Sequence, residues 1–173
     1  GDGFQISKLL EGRRLWRIPV MEGEFVIDES FHIRKSVGGG NFLILGEDTE
    51  AALEAAEAAV EAIRQVPGVV APFPGGVVRS GSKTSSKYAF LRASTNSPYC
   101  PTLRGQVDSA LPRGVNSVLE IVIDGLSEEA VAAATRVGVR AACRPGILRI
   151  SAGNYGGTLG RYQFHLHEIL EGP

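Results

Sequence analysis

An apolar strand followed by a capped helix occurs twice along this chain, and that repetition restricts the folds open to it. In the first cycle, GGGNFLILGE carries an uninterrupted apolar strand, Phe42–Leu45, and Asp48 then stands as N-cap of TEAALEAAEAAVEAIRQV. Leu53, Ala56, Val60 and Ile63 recur at helical spacing and predict a buried stripe, with Glu50, Glu54, Glu57 and Glu61 facing out. Pro67 and Gly68 end that helix. The second cycle starts with NSVLEIVIDG, takes Ser127 as N-cap with Glu128 and Glu129 in the first turn, and continues into AVAAATRVGVRAACR. There Val131, Ala134, Thr135 and Gly138 give a stripe of small residues suited to close packing on a sheet. Pro145 and Gly146 stop the helix, ILRIS is a strand, and RYQFHLHEIL is expected to close the chain as another. The order is that of an α+β, ferredoxin-like split βαβ sandwich, with helices on one sheet face and the other face free for a partner or a site.

Before the first cycle, RRLWRIPVMEGEFVIDESFHIRK reads as two strands around a turn at residues 21–23. Residues 1–36 are thus expected to form a β-hairpin-like extension and residues 37–173 the ferredoxin-like domain. Between the cycles, residues 72–115 are rich in Gly, Ser and Pro, and a connection of that length in a compact domain is usually a binding loop. With 173 residues, 43% of them hydrophobic, the chain can bury a real core. Its 18 basic and 19 acidic residues, net charge −1 and lack of a basic run argue against nucleic acid as a partner. No apolar stretch approaches the ~20 residues of a membrane-spanning helix. Cys100 and Cys143 are not spaced as a redox or zinc pair and no signal peptide is visible, so a cytoplasmic location is expected.

Glu120, in the middle of the apolar NSVLEIVIDG strand, is the first candidate for chemistry. Strand alternation puts Val118, Glu120, Val122 and Asp124 on one face and Leu119, Ile121 and Ile123 on the other. Glu120 is then either a carboxylate on a solvated face or paired with an arginine, or a desolvated group able to hold a proton as general acid or base. Asp124 lies too far along the strand to form a dyad with it. Ser80 to Lys83 match the SxxK spacing only formally, since Gly81 opposes the helical turn that motif needs. Ser82, Lys83 and Lys87 either face a ligand or belong to a solvated loop. PGG at Pro74–Gly76 and SAGNYGGTLG offer backbone amides to an oxygen, or are plain turns. His165 and His167 would share a strand face, but no third ligand of metal spacing accompanies them, and no metal is expected.

Taken together, GDG at the start, EGEFVIDESF, GGNF, EAAEAAVEAI, APFPGG, STNSPYCPT, EIVIDGL, ISAGNYGG and HLH resemble the formylmethanofuran:tetrahydromethanopterin formyltransferase family, specifically its C-terminal half. The resemblance runs in order across nearly the whole chain. It implies the second, distal lobe of a two-lobed subunit, incomplete as an enzyme without the N-terminal lobe. The implied activity is transfer of a formyl group between methanofuran and N5 of tetrahydromethanopterin, as co-substrates and without a prosthetic group or metal.

On the family's pattern Glu120 is the expected acid or base. Pro74, Gly75, Gly76, Ser82, Lys83, Ser94, Thr95 and Asn96 are expected to wall the substrate cleft, as oxyanion or pterin contacts. The implied partners are the N-terminal lobe, further copies of the chain and, in the arginine-rich bacterial branch, a formylmethanofuran hydrolase complex in formaldehyde oxidation. Two other readings fit the same sequence: a non-catalytic ferredoxin-like module that binds a pterin, and a structural subunit that buries its sheet and its RRLWRIPV strand in an assembly.

Overall fold

Two strands at the centre of one sheet organise most of the chain. In a computed structural model that describes residues 2–81, 90, 95–153 and 160–172, β4 (Val37–Gly46) pairs antiparallel with β7 (Ser117–Gly125). Flanking them are β5 (Val69–Val70) and β6 (Val77–Val78) along the free edge of β7, and β8 (Ile147–Ser151) along the free edge of β4. The resulting order is β5-β7-β4-β8, with β6 also paired to β7. Helix α1 (Thr49–Arg64) connects β4 to β5 across β7, and α2 (Glu128–Ala142) connects β7 to β8 across β4. Each βαβ unit is therefore split by a strand of the other, the ferredoxin-like arrangement the sequence predicts.

Local chemistry sets the helix starts. Asp48 Oδ1 accepts from the Ala51 N–H at 2.9 Å, and Ser127 Oγ from the Ala130 N–H at 3.2 Å, so each cap satisfies a donor the helix leaves open. The buried face of α1 is Ala52, Ala55, Ala56, Ala59, Val60 and Ile63. Leu53, expected in that stripe, is 43% exposed. In so alanine-rich a helix the spacing admits two phases, and close packing selects the one that presents small side chains. Gly138 shows how close it is: a Cβ there would stand 2.8 Å from Ile63 Cδ1 of α1 and 3.1 Å from Phe42 Cζ of β4. Phe42, Ile44, Ile121 and Ile123 complete this core with no exposure at all.

Two expectations need correction. The opposite sheet face is not free: Leu43, Leu45 and Val115 are buried there, with Tyr99, Leu111 and Val118 packed on them. The long connection covers it, ordered by short 3₁₀ turns at Ser97–Tyr99 and Pro101–Leu103. RYQFHLHEIL does not close the chain as a strand; its end is the helix α3 (Leu166–Glu171). Leu166, Ile169 and Leu170 fall on one helical face; Leu166 and Leu170 pack on the helix-side core, and Ile169 is buried. Arg136 Nε and Arg140 Nη2 of α2 donate to the Ile169 and Leu170 carbonyls at 2.6 and 3.1 Å, which fixes the helix end. Among the described residues no helix is long and apolar enough to cross a membrane.

The chain divides into two compact units, Gly1–Lys35 and Ser36–Pro173. The first holds the expected hairpin, β2 (Arg13–Val20) and β3 (Gly23–Asp28) around the turn at 21–22, with β1 (Ile6–Leu10) added beside β2 to make a three-stranded antiparallel sheet. On one face of it Arg13 pairs with Asp28 at 2.5 Å and Arg17 pairs with Glu24.

Candidate active site

The antiparallel register of β4 and β7 places Glu120 opposite Leu43, with Asn41 one side-chain repeat further along the same face. Glu120 is 4% exposed. Its Oε1 accepts from Asn41 Nδ2 at 2.8 Å, and its Oε2 from Asn96 Nδ2 at 3.3 Å. Among the described residues no lysine or arginine lies within ion-pair distance of it. A solvated carboxylate therefore does not describe Glu120; it is a buried carboxyl held by two neutral amides, with no arginine paired to it among the described residues.

Both amides are themselves fixed. The Gly153 N–H, just beyond β8, donates to Asn41 Oδ1 at 3.2 Å. Asn96 is 5% exposed, and its Nδ2 also donates to Ser80 Oγ at 2.7 Å. Its backbone is tied on both sides, by its N–H to the Gly81 carbonyl at 3.0 Å and by its carbonyl to the Tyr99 N–H at 2.9 Å. Among the described residues no buried side-chain nitrogen or oxygen lacks a partner. Asn41 also lines a cavity of about 330 Å³, together with Gly39, Gly153, Tyr162 and Phe164, so the polar cluster borders a space large enough for part of a ligand. Asp124 does not join this cluster; its Oδ1 accepts from the Gly39 N–H at 2.7 Å and steadies the bulge between Val37 and Gly40.

Of the residues expected to wall a cleft, the structure brings Asn96 to Glu120. Thr95, next to it, is exposed. Pro74–Gly76 forms a 3₁₀ turn whose Gly76 lies against Val60 of α1. The Gly76 N–H already donates to the Phe73 carbonyl at 2.8 Å. At φ 80°, with a would-be Cβ 2.7 Å from Val60 Cγ2, Gly76 is needed for the fit itself. Ser82, Lys83 and Ser94 lie outside the described residues. His165 and His167 do not share a strand face, because His165 is the N-cap of α3 and His167 lies within it. Asn41 was not anticipated as a partner of Glu120; Ser80, noted for its formal SxxK spacing, and Gly153, within SAGNYGGTLG, join the cluster through Asn96 and Asn41. Asn41 precedes the apolar run of β4 at the same parity as Leu43, and only the register that sets Leu43 opposite Glu120 brings it to the carboxyl.

Residues 23–169 match the family described as FTR, proximal lobe. Over 174 residues the chain is 60% identical to the formylmethanofuran–tetrahydromethanopterin formyltransferase of Methylococcus capsulatus, an alignment covering 98% of this chain and 58% of that protein. The protein of the same name from Methanopyrus kandleri is 57% identical over 172 residues, with 98% and 57% covered. Among solved structures, the formyltransferase of Methanosarcina barkeri superposes with a TM-score of 0.76 at 46% identity, covering 97% of this chain and 58% of that one. A formyltransferase/hydrolase complex from Methylorubrum extorquens, solved with methylofuran, gives 0.76 at 49% identity, covering 99% and 59%. The chain thus spans less than two thirds of the length of these relatives. The family description names this half the proximal lobe, where the resemblance had implied the distal one. On the family match and these relatives together, the chain belongs to the FTR proximal-lobe family of formylmethanofuran–tetrahydromethanopterin formyltransferases.

Proposed function

We propose that this chain supplies the proximal lobe of an enzyme that moves a formyl group from formylmethanofuran to N5 of tetrahydromethanopterin, with Glu120 as general acid and base. The single observation that carries the assignment of Glu120 is its burial with both carboxyl oxygens held by amide donors and no described cation beside it. The substrates are those named for the relatives at 60% and 57% identity.

In such a transfer the N5 lone pair attacks the formyl carbon and gives a tetrahedral intermediate with charge on oxygen. The carbon–nitrogen bond to methanofuran then breaks, and the leaving amine takes a proton while N5 gives one up. A single carboxyl serves both movements if it lies within reach of both nitrogens, since one proton is delivered and one received per turnover. Stabilisation of the oxyanion must come from donors other than the Gly76 amide, which is engaged in its own turn.

The test is Glu120→Gln in the chain supplied with the part of a formyltransferase that it does not span. Turnover is expected to fall by about 10²- to 10⁴-fold, the usual contribution of a positioned acid or base. Calorimetric binding of tetrahydromethanopterin is expected to survive. Unchanged turnover would remove Glu120 from the mechanism and favour a pterin-binding lobe without catalytic groups of its own. The Methylorubrum formyltransferase/hydrolase complex supports a hydrolase as partner; that this hydrolase acts on formylmethanofuran, and that the assembly holds further copies of the chain, belong to the same proposal. Co-purification with that hydrolase, and the mass of the assembly by light scattering, check both.

A further inference from the structure

We infer that Asn41 and Asn96 are positioning residues that fix the plane of the Glu120 carboxyl and decide which of its lone pairs can carry the transferred proton. The inference rests on the reading of Glu120 as acid and base. A glutamate carboxyl turns easily about its last torsion, whose profile is broad. Here each oxygen is held by a different amide, from segments 79 and 24 residues away in sequence, so rotation would break both bonds.

The orientation of the Asn41 amide follows from its other partner. The Gly153 N–H can only donate, so Asn41 must turn Oδ1 toward it and its NH₂ group toward Glu120. Asn96 Nδ2 has two hydrogens, one directed to Ser80 Oγ and one to Glu120 Oε2. A carboxylate offers about four lone-pair sites, and two of them face amide hydrogens. A proton cannot sit at either of those two. It is confined to the remaining sites, so the amides aim the acid as well as hold it.

The experiment measures steady-state formyl transfer for Asn41→Asp, Asn96→Asp and Asn96→Ser, alone and combined with Glu120→Gln, again with the rest of the enzyme present. Asp keeps the shape of Asn and replaces a donor by an acceptor facing the carboxyl. Each single Asp variant is expected to lose on the order of 10- to 10²-fold in kcat, as misplacement of a reacting group does, with KM for the pterin nearly unchanged. Added to Glu120→Gln, neither is expected to cost more, because both act through that carboxyl. Asn96→Ser, which is smaller and removes the donor without adding charge, keeps the test open if an Asp variant fails to fold, and is expected to show the same kcat loss and the same lack of additivity. Wild-type kcat in the Asn variants with a defective Glu120→Gln would overturn the positioning role alone. Losses that multiply in the double variants would also overturn it. A fully active Glu120→Gln would overturn the catalytic reading beneath it, so the two failures are distinct.

Discussion

On the helix side of the five-stranded sheet, the buried polar side chain among the described residues is Thr135, whose Oγ1 donates to the Val131 carbonyl at 2.8 Å within its own helix. On the other side the buried polar side chains are Glu120 and Asn96, and their bonds cross the chain at separations of 79, 24 and 16 residues. The same strand, β7, serves both, with Ile121 and Ile123 turned to the helices and Glu120 turned away. One face is thus held by apolar contact and tolerates polarity only where a helix satisfies it locally. The other spends its polarity on a cluster that exists only once distant segments have met. A face built for packing and a face built to hold a carboxyl can share one strand because successive side chains point to opposite sides.

The contrast is broken most severely on the helix side. Phe42→Ala removes a ring with no solvent exposure from the middle of that core. It is expected to cost about 3–5 kcal/mol, read as a lowered midpoint in urea or thermal unfolding. Gly138→Ala probes the same face from the opposite direction, since its Cβ would stand 2.8 Å from Ile63 Cδ1 and force the helices apart. About 1–3 kcal/mol is expected. A variant as stable as the wild type would mean that α1 and α2 pack more loosely than their contact distances say.

The other face should answer to a different rule. Glu120→Leu makes that position as apolar as Leu43 opposite it, which on the helix side would be harmless or favourable. Here it leaves the amide hydrogens of Asn41 and Asn96 without their acceptor, and about 1–3 kcal/mol of stability is expected to be lost in unfolding measurements. A more stable Leu variant would show that the polar cluster contributes nothing to folding and would erase the difference between the faces.

The same contrast explains what could be read from the sequence. Helix starts at Asp48 and Ser127, the split βαβ order and the buried stripe of α2 depend on residues within a few positions of one another, and all of them were legible. The phase of α1 was not, because alanine at nearly every position makes Leu53 an equally good core residue until the sheet and α2 are in place. The end of the chain was misread because the six residues of α3 owe their helix to Arg136 and Arg140, some 33 and 30 residues earlier. Glu120 stood out as a carboxylate in an apolar strand. Its partner Asn41 was visible only after the register of β4 against β7 was known, and Gly153 only after β8 was placed. Packing on the helix side is encoded locally; the candidate site is encoded in the pairing of strands.

The smallest expected effect lies at the rim of the helix layer, where the charged groups are exposed and not buried. The Glu129 carboxyl, in the first turn of α2, is held below the ordinary glutamate range, first by a hydrogen bond from its own backbone N–H and then by the Ser127 hydroxyl, against a weaker opposing effect of burial. An acid whose folded value is depressed contributes stability that is fully present above its unfolded value and is lost as pH falls through the folded one. Glu129→Gln is therefore expected to lower the melting midpoint slightly at neutral pH and to lose that deficit as pH drops below the ordinary carboxylate range. Full exposure and salt keep the effect small. Thermal melts of both proteins at neutral and acidic pH decide it, with Phe42→Ala as the reference whose deficit arises from packing and persists wherever the protein still folds. A Glu129→Gln deficit equally large at both pH values would place the contribution of that side chain in its contacts and not in its charge, and would make the rim behave like the core behind it.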